Sequence, residues 1–227
     1  MTRDHPPLLL VCALGVERLA LARSPARRPP PGAPVALLRT GMGPEAARRA
    51  VTRALGTPTL RGAAVLATGF CAGLRPGMRP GDLIVADRTG TPTDHTPCAD
   101  PDALAEDLAR LLPRHTVHRG PLLGTDHVVR GRERDALRAG GAAGVDMESA
   151  VTLATARALP TTAGDPGGAG ATVPSRRVAA VRVIVDAPGH ELLRPGTLTG
   201  GVSAFRALRS ALPAFFDWHR SSLLPRR

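Results

Sequence analysis

The sequence predicts an α/β protein: a single three-layer domain with a mostly parallel (mixed) central sheet flanked by helices. Short apolar runs with strand character alternate with helical patterns along the chain, as in layered α/β domains. With 227 residues and 43% hydrophobic residues, the chain can bury a sizeable core. Because no internal repeat divides the chain, one domain over residues 1–227 is expected.

The apolar runs define the strands, and helical periodicity fills most of the intervals between them. The predicted strands are Leu8–Ala13, Val35–Leu38, Ala63–Ala67, Leu83–Ala86, Val117–Leu123, Ala142–Val145 and Val178–Val185. The predicted helices are Val16–Ala22, Pro44–Leu55, Pro101–Leu112, Arg132–Ala139, Met147–Leu159 and Val202–Leu212, the last continuing past Pro213 with a kink.

Two segments are predicted to be flexible surface loops. Residues 24–32 are rich in proline and arginine, and residues 161–177 form a glycine, proline and alanine stretch without periodicity. Neither segment separates two apolar cores, so neither is expected to link two domains.

The chain carries a formal net charge of +11, and all 30 of its basic residues are arginine. Lysine, asparagine, glutamine and tyrosine are absent, a bias that indicates GC-rich codons. Because the arginines are scattered and not interleaved with aromatic residues, nucleic-acid binding is not expected.

The cysteines are Cys12, Cys71 and Cys98, an odd number without metal-ligand spacing. We therefore expect no disulfide framework and no metal site, and predict a reducing, cytoplasmic location. The apolar run Leu8–Leu14 is too short to cross a bilayer and lacks a signal-peptide cleavage site.

Charged residues stand at the ends of two predicted strands. Asp146 and Glu148 flank Met147 where an apolar run gives way to a helix, and Arg182 lies in a strand that ends at Asp186. Buried charges are costly unless they are paired, so charges at strand ends often act on a ligand. In α/β sheets, ligands bind beyond the carboxyl ends of the strands, where Asp186 is expected.

An ordered series of motifs resembles the nucleoside phosphorylase superfamily, including its methylthioadenosine/adenosylhomocysteine nucleosidase branch. The series comprises Ala13–Glu17, Arg39–Gly43, Ala67–Leu74, Pro80–Leu83, Val145–Glu148 and Arg182–Asp186. A closer resemblance, to hopanoid-biosynthesis-associated nucleoside phosphorylases of actinobacteria, lies in Ala67–Gly73, Val178–Ala187 and Phe205–His219. The resemblance implies a phosphorylase/hydrolase-like fold.

The resemblance also implies cleavage of a purine N-glycosidic bond, with release of adenine from adenosylhopane as the specific expectation. The substrate would carry a bulky apolar 5′ substituent. Inorganic phosphate is the expected co-substrate, no metal or organic cofactor is implied, and a homodimer is expected. One alternative is hydrolysis of a 5′-substituted adenosine such as methylthioadenosine or adenosylhomocysteine. Another is a non-catalytic nucleoside- or lipid-binding module.

Residue roles follow from the matching motifs. Asp186 is expected to protonate N7 of the leaving purine, with Arg182 in the same catalytic series. Glu17 matches the glutamate that activates the attacking water in the nucleosidase branch. Glu148 is expected to accept hydrogen bonds from the ribose hydroxyls, and Met147 to pack on the sugar.

Two glycine-rich segments, Thr40–Gly43 and Thr68–Gly73, are predicted to be loops whose backbone N–H groups hold an anion or the ribose. The substrate-binding residues expected there are Gly41, Thr68, Gly69 and Phe70, although Phe70 replaces the small hydroxyl residue of relatives. Val128 takes the place of an aromatic residue on the base, and Val129 is expected to offer backbone groups to the base edge.

The carboxylates also fit structural roles that involve no substrate. Asp186 fits a turn or a helix N-cap, and Glu17 fits an ordinary solvated helix residue. Asp146 and Glu148 both favour the positive N-terminus of the helix that follows, and Asp146 is expected to be the structural one.

The C-terminal helix carries an aromatic stripe, with Phe215, Phe216 and Trp218 followed by arginines. Packing in the core or in a dimer interface is expected. The alternative is a rim for a lipid substrate, or peripheral contact with the inner face of the membrane.

Overall fold

The computed structural model describes residues 6–24, 34–91, 93–161, 175–188 and 197–221. Strands and helices alternate along these ranges. The strands are β1 Leu8–Cys12, β2 Val35–Arg39, β3 Ala64–Gly73, β4 Leu83–Gly90, β5 His95–Pro97, β6 Val117–Gly124, β7 Gly144–Asp146 and β8 Val178–Asp186. The helices are α1 Gly15–Ala22, α2 Pro44–Leu55, α3 Pro101–Leu111, α4 Gly131–Ala139, α5 Ser149–Ala158 and α6 Thr197–Ser221.

The strands form one mixed sheet in which five strands close into a ring. β3 pairs with β7 and β8, β8 pairs with β4, and β6 joins β4 to β7. β1 and β2 extend the sheet in parallel from β3, and β5 adds an antiparallel edge to β4. The predicted fold class, a mostly parallel mixed sheet between helices, is confirmed.

Helices cover both faces of the sheet because side chains alternate along each strand. On β1, Leu8, Leu10 and Cys12 face one core cluster, while Leu9 and Val11 face the other. Helices α1, α3 and α6 pack together on the first side, and α2 packs against α5 on the second. The sheet therefore lies between two helical layers.

The prediction that Thr68–Gly73 is a loop is wrong. This segment is the second half of β3, which pairs with β8 and then, after a register shift at Cys71, with β7. Its glycines suggested a turn, but Gly69 adopts φ +136° within the strand and keeps the ladder continuous. The short polar strand His95–Pro97 was not predicted; it pairs with β4 and lies against α5, and neither contact is visible in a local sequence pattern.

The aromatic stripe of α6 belongs to the core. Phe215, Phe216 and Trp218 are 0%, 7% and 2% exposed, and the Trp218 indole N–H donates to the Ala99 carbonyl at 2.9 Å. Packing in the core is therefore confirmed. The alternative that these three rings meet lipid is wrong, because their surface is already covered by the protein. The helix continues past Pro213, as expected.

Most of the two predicted loops, residues 25–32 and 162–174, lies outside the described residues. At the described end of the second segment, residues 175–177 are irregular, as predicted, but the prediction that they form a flexible surface loop is wrong. Arg176 is 3% exposed and donates hydrogen bonds to the carbonyls of Ala63 at 2.6 Å and Ala156 at 2.8 Å. Arg177 pairs with Asp100 at 2.6 Å and lies over the Trp218 ring. Two adjacent arginines thus anchor the start of β8.

Candidate active site

A cavity of about 220 Å³ opens where β1, β3, β7 and β8 end. The carboxyl ends of β1, β3 and β8 point the same way because these strands are parallel, which favours a ligand site at this edge. The predicted site residues that line it are Glu17, Phe70, Val128, Val129, Met147, Glu148 and Asp186. The other predicted residues, Gly41, Thr68, Gly69 and Arg182, lie behind or beside this lining.

Glu17 is fixed at the start of α1 by three backbone donors. Its Oε2 accepts from the N–H groups of Ala13 and Leu14, both at 2.8 Å, and its Oε1 accepts from Phe70 N–H at 2.7 Å. The residue is only 1% exposed. The alternative that Glu17 is a solvated helix carboxylate is therefore wrong. Because these three backbone N–H groups already donate to Glu17, they are not available to bind an anion.

Glu148 faces the cavity from the junction of β7 and α5. Its Oε1 accepts from the Gly43 N–H at 2.9 Å, which ties the turn after β2 to the opposite wall. Burial raises the pKa of this carboxyl above its ordinary value, although Arg182 and the Gly43 amide oppose the rise. Met147 lies beside it in the lining.

Asp146 points away from Glu148 and into the protein. It accepts from the Ser149 N–H at 3.1 Å and the Ser149 hydroxyl at 2.5 Å, so it caps the first turn of α5. It also pairs with Arg182, whose guanidinium donates to the Ser149 hydroxyl at 2.8 Å and the Thr68 carbonyl at 2.9 Å. Asp146 is thus structural, and Arg182 supports the floor of the site.

The electrostatics of this floor depend on Arg182. Desolvation opposes its charge, but the carboxylates of Asp146, Glu17 and Glu148 outweigh that effect and raise its pKa. The Arg182 side chain is 2% exposed. It is therefore a buried permanent cation that offsets the acidic groups around it.

Gly69 allows Glu17 and Arg182 to approach β3 closely. A Cβ atom at this position would lie 2.5 Å from Glu17 Oε1 and 2.6 Å from Arg182 Nη1. Its φ of +136° also disfavours any side chain. Gly69 thus shapes the site without lining the cavity.

Asp186 ends β8 and brings a carboxyl to the cavity wall. Its Oδ2 accepts from Arg134 Nη1 at 3.1 Å, while Oδ1 is buried without a hydrogen-bond partner among the described residues. Arg134 also donates to the Gly73 carbonyl at 2.6 Å. The carboxyl is thus held on one side and unsatisfied on the other.

The amino-acid sequence matches the model of a known protein family. A family model, the phosphorylase superfamily, matches residues 31–200. The chain belongs to this superfamily. No curated protein matches the chain in sequence.

Solved nucleosidase structures share the fold of this superfamily member. The 5′-methylthioadenosine/S-adenosylhomocysteine nucleosidase of S. pneumoniae, with a transition-state inhibitor, gives a TM-score of 0.68 at 14% identity, covering 92% of this chain and 98% of that one. The Helicobacter pylori enzyme with 5′-methylthioadenosine in its active site gives 0.68 at 14%, covering 94% and 99%. The futalosine hydrolase of H. pylori gives 0.66 at 15%, covering 93% and 97%. The predicted phosphorylase/hydrolase-like fold is confirmed.

A second and larger cavity of this superfamily member, about 470 Å³, adjoins the first. The two share Thr125, His127 and Met147 in their linings. Its floor includes the small apolar residues Ala150 and Ala154 of α5. The two cavities therefore lie side by side.

Sequence reasoning missed two residues of the site. Arg134 lies in an arginine-rich helical stretch in which nothing distinguishes it from its neighbours. His127 was given no role, yet it lies where the two cavities meet. Hydrogen bonds from the His127 ring to the carboxylates of Asp126 and Glu133 raise the pKa of His127.

Cys71 lines the cavity but is poorly suited to act as a nucleophile. Burial raises the pKa of its thiol, so the reactive thiolate is disfavoured.

Within the described ranges, no group of three or more His, Cys, Asp or Glu side chains is arranged to hold a metal ion. No helix among those ranges is long and apolar enough to cross a membrane.

Proposed function

We propose that this protein is a purine nucleosidase, which breaks the N-glycosidic bond of a purine nucleoside with water and releases the base. The observation that carries the proposal is the fixed carboxylate of Glu17, held by three amides in the cavity that Asp186 and Glu148 also line. Such a site offers three carboxyl groups: one to activate the water, one to bind the sugar and one to protonate the base.

In the proposed reaction the C1′–N9 bond breaks and its electron pair passes to the purine. Asp186 delivers a proton to N7, which makes the purine a better leaving group. Glu148 accepts hydrogen bonds from the ribose hydroxyls as positive charge develops on the sugar. A water attacks C1′ and passes its proton to Glu17, so the products are the free base and the free sugar.

The charge of the cavity supports water as the acceptor over phosphate. Its described lining includes four acidic residues and no arginine, and Glu17 and Glu148 have no ion-pair partner among the described residues, whereas Asp146 and Asp186 pair with arginines behind the lining. The Glu17 carboxylate would repel a phosphate anion placed beside it, and the amides near Glu17 already have an acceptor. A neutral water meets neither obstacle.

Phosphorolysis, the reaction expected from the resemblance, is the second candidate. Arg18 and Arg39 are exposed beside the first turn of α1, and both lower the pKa of Cys12, although burial raises it overall to about 12. The Arg39 guanidinium lies near Gly15. These two arginines are the described cations best placed to attract phosphate to the mouth of the cavity.

The size of the adjoining cavity supports a substrate with a bulky 5′ substituent. Its volume of about 470 Å³ exceeds that of the nucleoside cavity, and Met147, on the sugar side, belongs to both linings. Adenosylhopane, with its apolar pentacyclic group, is the specific substrate we propose. The S. pneumoniae and H. pylori relatives, named for methylthioadenosine and adenosylhomocysteine, make small thioether nucleosides the competing class. The predicted homodimer and cytoplasmic location remain proposals.

The test is release of adenine from adenosines with polar, thioether and triterpenoid 5′ groups, with and without phosphate. Release without phosphate, with ¹⁸O from labelled water in the ribose, is expected for hydrolysis. Strict dependence on phosphate would establish phosphorolysis. Nucleoside binding without release would indicate the non-catalytic module.

The Asp186→Asn variant completes this test. An amide cannot deliver the proton, so turnover should fall by about 10²–10⁴-fold while the variant remains folded. Adenine release near the level of the parent protein would remove Asp186 from the mechanism.

A further inference from the structure

Helix α4 is exposed except for one inward-facing pair of side chains. Leu137 packs beside a small apolar cluster that includes Val129, and Arg134 turns toward the end of β8. Arg138, one turn further along the helix, instead forms an exposed pair with Asp135 at 3.1 Å. Arg134 is therefore the arginine of α4 that contacts the active site.

The Arg134 guanidinium is held at two points. Nη1 donates to Asp186 Oδ2 at 3.1 Å and Nη2 donates to the Gly73 carbonyl at 2.6 Å. The Arg134 and Asp186 side chains are 14% and 12% exposed. Because the guanidinium is planar and rigid, two donors with different partners fix its orientation. The orientation of the Asp186 carboxyl is fixed with it.

The two oxygens of Asp186 are therefore not equivalent. Oδ2 has a charged partner, whereas Oδ1 is buried without one among the described residues, in a side chain that lines the cavity. A buried polar atom without a partner is costly, and such atoms in a site often await a ligand.

We infer that Arg134 is a positioning residue for the general acid: by holding Oδ2 it fixes the direction in which the Asp186 carboxyl is presented to N7 of the purine. This inference rests on the proposed function. Asp186 first takes up a proton from solvent. As the C1′–N9 bond breaks and its electron pair passes to the purine, that proton bonds to N7, and Arg134 stabilises the carboxylate that remains. The Gly43 contact of Glu148 and the three amide contacts of Glu17 do not involve Arg134.

Replacement of Arg134 should therefore weaken the contact with N7 selectively. Arg134→Gln is compared with Arg138→Gln, which removes the same charge from the same helix. The kcat for 5′-methylthioadenosine should fall about tenfold or more in the first variant and stay unchanged in the second. Arg134→Lys should restore part of the loss, because the ammonium can still donate to Asp186 but cannot span both partners.

A binding measurement separates positioning from a structural role. Adenine and 7-deazaadenine differ only at N7, and neither is consumed. The parent protein should bind adenine more tightly, and Arg134→Gln should reduce that ratio of dissociation constants about tenfold toward one. Arg138→Gln should retain the ratio.

An unchanged ratio together with a lower kcat would overturn the inference, since Arg134 would then only stabilise α4. An increase in kcat would overturn it as well, because Arg134 would be restraining the acid. If the parent protein bound neither base and released no adenine, the proposed function would fail, and the inference with it.

Discussion

Arg182 and Asp146 form an ion pair beneath the active-site cavity, with Arg182 Nε 2.5 Å from Asp146 Oδ2. The two side chains are 2% and 3% exposed. The pair joins β8 to the start of α5, and Ser149 bonds to both partners. A single buried contact therefore supports the strand that ends in Asp186 and the turn that carries Glu148.

Arg182→Met should destabilise the protein strongly. It leaves a buried carboxylate without its cation, a change that costs about 3–5 kcal/mol in the free energy of unfolding. Arg110→Met is the control, because Arg110 pairs with Asp107 at the surface and its loss should cost about 1 kcal/mol or less. Urea unfolding measures both. Equal losses would show that the buried pair has no special role in stability.

Glu148→Gln should lower activity but raise stability at pH 7.5. The pKa of Glu148 is raised by burial, so ionisation of this group costs free energy in the folded state. That penalty is absent below the pKa of the unfolded state and grows as the pH rises through the raised pKa. The stability advantage of the variant should therefore shrink between pH 7.5 and pH 4.

The control for this effect is Glu45→Gln, since Glu45 has a side chain 67% exposed on α2. Its effect on thermal unfolding should be small at both pH values.

If Glu148 contacts the ribose, a 2′-deoxy substrate should lose less activity with Glu148→Gln than with the parent protein. Equal losses in both proteins would restrict Glu148 to a role at the start of α5.

Gly69→Ala should disrupt both folding and catalysis. The new Cβ would lie 2.5 Å from Glu17 Oε1, so either the carboxylate or β3 must shift. Gly77→Ala is the matched control, because Gly77 also has a positive φ, +82°, but has open space around its Cβ position. Gly69→Ala should cost about 1–3 kcal/mol more than the control in urea unfolding. Similar values would mean that backbone strain alone excludes the side chain.

Trp218→Ala should destabilise the protein without affecting membrane binding. The ring is 2% exposed, so its loss should cost about 3–5 kcal/mol. Val202→Ala on the same helix is the control; Val202 is 48% exposed, and its replacement should change stability by about 0.5 kcal/mol or less. Thermal unfolding and liposome sedimentation measure the two effects. Reduced liposome binding at unchanged stability would contradict the burial of the ring.

Much of the fold could be predicted from local sequence patterns. The bounds of α2, Pro44–Leu55, agree with the prediction, and each predicted strand overlaps an observed one. These elements are encoded by periodicity and by prolines and glycines within a few residues. The position of Asp186 at the end of a buried strand follows from the same patterns.

The site required contacts between distant parts of the chain. Glu17 meets Phe70 across 53 residues, Gly43 meets Glu148 across 105, and Arg134 meets Asp186 across 52. Strand register and ring closure bring these partners together, and neither is encoded in a local pattern. The sequence by itself therefore determined most of the elements and the position of Asp186 at a strand end. The tertiary structure decided that β3 runs through Thr68–Gly73, that the α6 aromatics are core, and that Arg134 pairs with Asp186, because each depends on long-range packing.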